Sequence, residues 1–164
     1  MSENTPPKEK RPASPAPQPE TSGSELEDFL CFAVYEANLA FNQLYRSLLD
    51  GIGLTYPQYL VMTLLWRRDE RTVKEIGEAL SLEYNTLTPL IKRLEAMGLV
   101  SRVRDLTDQR VVKVTLTNEG RTLRERAREI PGCVAEAAGL TDEAFGELKA
   151  ALNRLRSNLL TDAE

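Results

Sequence analysis

A change of period within residues 55–116 most constrains the fold of this chain. Apolar side chains first recur at helical spacing through three consecutive segments. From Val100 onwards they alternate with polar side chains, as in a β-strand, over 100–104 and again over 111–116. The link at 105–110 is polar and prone to turns, so the two runs predict a β-hairpin. Helix, short helix, helix and hairpin in this order predict a winged helix-turn-helix.

Local signals indicate where the helices of this module begin and end. Capping boxes that start at Thr55 and Thr72 predict two helix starts, and Gly98 predicts the end of a third helix. The expected helices run from residue 56 to about 66, from 73 to 80, and from about 84 to 97. Helical spacing predicts that one face of the third helix is buried, and its members are Leu87, Ile91 and Leu94.

Amphipathic helices are predicted on both sides of this module. One covers residues 25–49; the other side covers about 118–160, with a kink or break at Pro131–Gly132 and a last helix capped at Thr141. The apolar face of the first helix, which includes Leu44 and Leu48, is wider than packing within one chain comfortably covers. We therefore expect a homodimer in which these flanking helices hold the two DNA-binding modules about one DNA turn apart.

Composition separates a tail from a single domain and excludes several classes of site. Residues 1–24 hold six of the nine prolines and four serines, so they are predicted to be disordered, leaving residues 25–160 as one domain. The chain has no histidine, which excludes histidine-dependent catalysis and histidine-ligated zinc. Two cysteines are too few for a disulfide scaffold or a cysteine-only zinc site. We expect no metal, cofactor or membrane span, and cytoplasmic residence.

The charge distribution favours double-stranded DNA as a partner. Net charge is −4, yet the stretch from Lys92 to Lys113 has six basic and three acidic residues. The outward face of the third helix is by itself more typical of a solvated surface, but the basic wing beside it favours DNA binding. Asp108 is expected to pair with Arg110 and fix its direction. The candidate DNA-binding residues are Asn85, Thr86, Thr88, Lys92, Arg93, Arg102, Arg104, Asp108 and Arg110.

Two cysteines leave two interpretations open. A lone cysteine on an apolar helix is typical of small core filler, and Cys31 fits that description. The alternative is a redox thiol with Cys133 as its resolving partner. The acidic residues Glu27 and Asp28 near Cys31 oppose a thiolate, whereas the start of a helix favours it.

Several segments together resemble the MarR family of winged-helix repressors, and within it the organic-hydroperoxide-sensing OhrR-type branch. The similarity covers about residues 26–159 and rests on residues 31–35, 44–50, 53–62 and 86–95, with Asp108–Gln109–Arg110 in the wing. The resemblance implies that Cys31 is the peroxide-reactive thiol. It implies that Tyr45 and Tyr56 match tyrosines that the partner subunit supplies as hydrogen-bond donors to the sulfur. Tyr35 matches a further pocket tyrosine, and Cys133 matches the resolving thiol of an intersubunit disulfide.

The expected function is therefore a repressor that binds a pseudo-palindromic operator when reduced and releases it when an organic hydroperoxide oxidises Cys31. By resemblance, its target gene encodes a peroxide-detoxifying enzyme. One alternative is a MarR-type regulator released by a small aromatic ligand, with a structural Cys31. A third hypothesis is a thiol peroxidase, but an enzyme that turns over does not need the basic wing. We expect no catalytic activity.

Overall fold

The computed structural model describes residues 26, 28–104 and 111–161, and it is mainly helical with one small sheet. The predicted tail at 1–24 and the hairpin link at 105–110 lie outside the described residues. The chain divides into two units between Ala37 and Asn38. The elements in chain order are α1 (Leu30–Asp50), α2 (Tyr56–Arg67), β1 (Arg71–Thr72), α3 (Val73–Leu80), α4 (Tyr84–Ala96), β2 (Val100–Arg104), β3 (Val112–Leu116), α5 (Asn118–Ala127), α6 (Ile130–Ala138) and α7 (Asp142–Thr161).

The core of the second unit lies where α2, α3 and α4 meet the sheet. The inward face predicted for the third helix is confirmed, because each of its three members is at most 1% exposed. They pack with side chains of α2, α3 and both long strands, whose fully buried members are Val61, Met62, Leu65, Ile76, Val100 and Val114. The helix-turn-helix thus rests on one continuous apolar cluster.

The predicted helix boundaries of this module are confirmed. The Gln58 side-chain oxygen accepts a hydrogen bond from the Thr55 N–H at 2.8 Å. At the next helix the bonds are reciprocal, with Thr72 N–H to the Glu75 carboxylate at 2.7 Å and Glu75 N–H to the Thr72 hydroxyl at 3.1 Å. Gly98 adopts φ +73°, the left-handed conformation that ends a helix at low cost in glycine.

The sheet contains the predicted hairpin and one strand more. β2 and β3 pair antiparallel from Val100 opposite Leu116 to Arg104 opposite Val112. The additional strand, β1, pairs with β3 on its other side, so the order is β1-β3-β2. A strand of two residues is too short to produce a period-2 pattern, and for this reason the sequence did not reveal it.

Two helix predictions need correction. α1 begins at Leu30 rather than at residue 25, and the Phe29 N–H instead bonds to the Leu26 carbonyl as a turn. After the hairpin there are three described helices rather than two. The predicted break near Pro131 is confirmed, because α5 ends at Ala127 and a separate helix begins at Ile130. Pro131 lies in the first turn of α6, where its missing N–H leaves no hydrogen bond unmade.

Leu44 and Leu48 pack against the core of their own chain, so they are unsuited as probes of a dimer interface. Other apolar side chains are exposed on both flanking helices. On α1 they are Leu30, Val34, Tyr35, Leu39 and Phe41, and on α7 no residue is buried. The exposed apolar side chains of α7 are Phe145, Leu148, Leu152, Leu159 and Leu160. No helix in the described part of the chain is both long and apolar enough to cross a bilayer.

Specific contacts fix α5 to the winged-helix module. The Trp66 indole N–H donates to the Gly120 carbonyl at 2.8 Å, and Gly120 packs directly against the Leu99 backbone. The Asp69 carboxylate accepts from the Leu116 N–H at 2.9 Å and pairs with Arg121 at 2.8 Å. These hydrogen bonds and the ion pair hold the first turn of α5, where the C-terminal helices begin, against the winged-helix module.

Candidate nucleic-acid interface and sensor residues

The outward face of α4 carries the side chains predicted for DNA contact. Asn85, Thr86, Lys92 and Arg93 are exposed, and the opposite face is buried. Thr88 differs from them because it is half-buried and its hydroxyl donates to the Tyr84 carbonyl at 2.8 Å. A polar, cationic helix face of this kind suits base edges and phosphates.

The wing places its two described arginines on one face of the hairpin, as predicted. Directly opposite residues of an antiparallel pair share a face, and Arg102 and Arg104 lie opposite Val114 and Val112. Arg104 is exposed near the end of the described strand. The predicted pair of Asp108 and Arg110 lies outside the described residues, and its role stays a prediction.

The Arg102 side chain is bound by a carboxylate that sequence reasoning missed. Its Nε and one terminal nitrogen lie 2.8 and 2.7 Å from Glu95 Oε2, and the Arg102 backbone N–H lies 3.2 Å from Glu95 Oε1. Hydrogen bonds from Arg102 lower the pKa of the Glu95 carboxyl, so it is ionised at neutral pH. No local pattern in the sequence indicates this pair, because it depends on how the strand returns along α4.

Three tyrosines and a tryptophan form an aromatic cluster between α1 and α2. The rings of Tyr45 and Tyr56 stack with centroids 4.2 Å apart, which brings together two of the predicted sensor residues. Tyr59 lies 5.9 Å from Tyr45 and meets Trp66 edge-on at 6.2 Å. Sequence reasoning missed the buried Tyr59 as part of this group. The available signal was its spacing, because Tyr59 follows Tyr56 by one helical turn.

Burial favours the protonated form of two phenols in this cluster, those of Tyr45 and Tyr56. It raises the pKa of Tyr45 to about 12, with smaller contributions from Tyr56 and Tyr59. Burial also raises the pKa of Tyr56, again with a contribution from Tyr59. Both hydroxyls therefore remain O–H donors throughout the physiological range, able to stabilise an anion without a formal positive charge.

Both cysteines are exposed free thiols. Cys31 lies in the first turn of α1, in the first unit, with Tyr35 one turn later. The Tyr35 ring stacks with that of Phe32 at 6.3 Å. Cys133 lies near the start of α6, in the second unit. Among the described residues, Cys31 is therefore not a buried core side chain, and its exposed thiol is available to an oxidant.

Comparison with known proteins identifies the family. The family model of the transcriptional regulator SarA/Rot matches residues 43–126. The organic hydroperoxide resistance transcriptional regulator of Bacillus subtilis (strain 168) is 42% identical over 135 residues, which cover 82% of this chain and 92% of that protein. The chain belongs to the SarA/Rot family of MarR-like winged-helix regulators. This regulator is a DNA-binding transcription factor and not an enzyme.

Two solved structures of one protein are similar to this regulator. Reduced AbfR bound to DNA matches with a TM-score of 0.74 and 36% identity, covering 85% of this chain and 95% of AbfR. The disulfide-formed AbfR matches with a TM-score of 0.56 and 36% identity, covering 79% and 91%. These comparisons confirm the predicted winged-helix fold with flanking helices.

Proposed function

We propose that this regulator is a homodimeric, cytoplasmic repressor that binds a pseudo-palindromic operator while Cys31 is reduced. An organic hydroperoxide oxidises Cys31, and the DNA is released. The observation that carries the proposal is the stacked pair Tyr45 and Tyr56, whose half-buried phenols stay protonated beside the winged-helix module. The similar B. subtilis regulator is named for organic hydroperoxide resistance, and the similar AbfR has been solved both reduced on DNA and with a disulfide.

The chemistry begins with the Cys31 thiolate attacking one peroxide oxygen. An S–O bond forms, the O–O bond breaks, and the alkoxide leaves and takes a proton to become an alcohol. Phenol hydrogen bonds from Tyr45 and Tyr56 of the partner subunit are proposed to stabilise the thiolate. The Cys133 thiolate then attacks the sulfenic sulfur, so that an S–S bond forms, the S–O bond breaks, and the leaving hydroxide takes a proton to become water. Tyr35 is proposed to line the same pocket.

DNA binding is assigned to α4 and the wing. Asn85, Thr86 and Thr88 are proposed to face the bases, and Lys92 and Arg93 the phosphates. In the wing we assign Arg104 and Arg110 to the DNA backbone or minor groove, with Asp108 orienting Arg110.

Gel shifts with the DNA upstream of the gene for this chain test the redox switch. Wild type should bind when reduced and release after treatment with an organic hydroperoxide. Cys31→Ser should bind equally well and ignore the oxidant. The control Cys133→Ser should still release DNA but form no cross-linked band near twice 18.4 kDa on non-reducing electrophoresis. If Cys31→Ser releases DNA like wild type, the redox proposal is wrong.

A cleft between α2 and the junction of α5 and α6 favours a second candidate, a regulator released by a small aromatic ligand. Its volume is about 510 Å³, and its lining includes Trp66 and three arginines, Arg67, Arg124 and Arg128. The Thr63 hydroxyl at this cleft is buried without a hydrogen-bond partner among the described residues. Aromatic rings and guanidinium groups suit an aromatic carboxylate. Salicylate should then release DNA from Cys31→Ser at the same salicylate concentration as from wild type, and this result would favour the second candidate.

A further inference from the structure

The end of the recognition helix α4 is tied to the first strand of the wing by one ion pair. Glu95 lies in the last turn of α4, and Arg102 lies in the middle of β2, seven residues later. The carboxylate accepts hydrogen bonds from the guanidinium group and also from the Arg102 backbone N–H. Because side chain and backbone are both held, this contact restrains the direction of β2 as well as the arginine itself.

The orientation of the Arg102 side chain follows from the register of the hairpin. Arg102 lies opposite the fully buried Val114 and shares a face with Val100, so its side chain extends the face of the sheet that packs on α4. Its side chain is 36% exposed and that of Glu95 is 34% exposed. An arginine that neutralises a carboxylate this closely has fewer N–H groups to offer a phosphate.

We propose that Arg102 is a positioning residue, which acts through Glu95 to hold the wing at a fixed angle to α4. Arg104, two residues nearer the tip of the hairpin, is then the phosphate-binding arginine of β2. DNA recognition by a winged helix requires the helix and the wing to reach the duplex together, so a fixed angle favours the specific complex over loose backbone binding. This inference rests on DNA binding alone and is independent of the thiol proposal.

The two possible roles of Arg102 predict opposite effects for Glu95→Ala. If Arg102 contacted phosphate, removal of Glu95 would free the guanidinium and delete a negative charge near DNA, so affinity would rise. If Arg102 positions the wing, the same substitution releases the wing and affinity for the specific site falls. We expect a loss of about 3- to 10-fold for Glu95→Ala, a similar loss for Arg102→Gln, and no further loss in the double variant.

Fluorescence anisotropy with reduced full-length protein measures these effects. The specific probe is a duplex from upstream of the gene for this chain, and the non-specific probe is the same duplex scrambled. Glu95→Ala and Arg102→Gln should lower specific affinity and leave non-specific affinity within about 2-fold, since the phosphate contacts remain. The melting temperature should change by no more than about 2 °C, because an exposed ion pair contributes little to folding.

Salt dependence separates positioning from phosphate contact, with Arg104→Gln as the matched control. Arg104→Gln should reduce the slope of log affinity against log salt by about 1 per subunit, whereas Arg102→Gln should leave the slope unchanged. Tighter binding by Glu95→Ala would overturn the proposal. So would a reduced salt slope in Arg102→Gln, additive losses in the double variant, or equal losses on both probes.

Discussion

Substitution of Gly120 tests how α5 is seated on the winged-helix module. A Cβ at this position would lie 2.0 Å from the Leu99 carbonyl oxygen and 3.3 Å from a Leu116 methyl group, whereas ordinary contacts begin at 3.4 Å. The first neighbour is backbone, so α5 or the Leu99 peptide must move by more than an ångström. Gly120→Ala should therefore destabilise the protein even though alanine is the better helix former.

The magnitude follows from three opposing contributions. Alanine gains about 1 kcal/mol of helix propensity over glycine in α5. Overpacking costs about 1–3 kcal/mol or more, and the shift strains the Trp66 hydrogen bond to the Gly120 carbonyl, which is worth about 1 kcal/mol. Because the nearest clash is severe, we expect an overpacking cost at the upper end of that range. The free energy of unfolding should then fall by about 2–3 kcal/mol and the melting temperature by about 5–10 °C.

Urea unfolding at one fixed protein concentration measures this loss. The matched control is Gly146→Ala in α7, where a Cβ would meet nothing within 4 Å. Propensity alone then predicts a gain of about 0.5–1 kcal/mol for the control. A midpoint for Gly120→Ala at or above that of wild type would show that α5 does not pack on Leu99 as described.

Three further predictions concern the aromatic cluster, the assembly and the anchor of α5. The folded-state pKa of Tyr45 is raised from 10.0 to about 12, so its contribution to stability is complete below pH 10 and is lost as the pH rises towards 12. In an absorbance titration at 295 nm, Tyr45→Phe should remove the last phenol to ionise. An unchanged titration curve would contradict the assignment. Replacing the exposed Leu148 and Leu152 with Asp should leave the fold intact and shift the sedimentation coefficient from dimer to monomer, whereas wild-type sedimentation would exclude α7 from the interface. Asp69→Ala leaves the Leu116 N–H without its acceptor, so the free energy of unfolding in urea should fall by about 1–3 kcal/mol. Glu70 is the neighbouring exposed acidic residue, and Glu70→Ala should lower it by less than about 0.5 kcal/mol.

The parts of the fold that the sequence predicted are those with local physical causes. The capping box at Thr72 and the helix end at Gly98 each depend on residues within one turn, and both are confirmed. The hairpin was predictable because its two strands alternate in polarity and are close in sequence. The winged-helix interpretation followed from the order of these elements and did not need any long-range contact.

The parts that could not be predicted depend on tertiary contacts. β1 exists only because β3 offers it a hydrogen-bonding edge. Glu95 was overlooked because a glutamate in the last turn of a helix resembles any solvated residue until the returning strand brings Arg102 beside it. For the same reason Leu44 and Leu48 were assigned to a dimer face, although both pack, partly buried, against the core of their own chain.

Trp66 gives this regulator a built-in optical probe. It is the only tryptophan of the chain, so intrinsic emission excited at 295 nm comes from one site. Its indole N–H is bonded to α5 and its ring meets Tyr59, which places the fluorophore at the connection between the aromatic cluster, the DNA-binding module and the C-terminal helices. Loss of that hydrogen bond would expose the indole to water and shift its emission to longer wavelength. If the proposed oxidation and DNA release move α5 relative to α2, stopped-flow fluorescence of the unlabelled protein would time that movement.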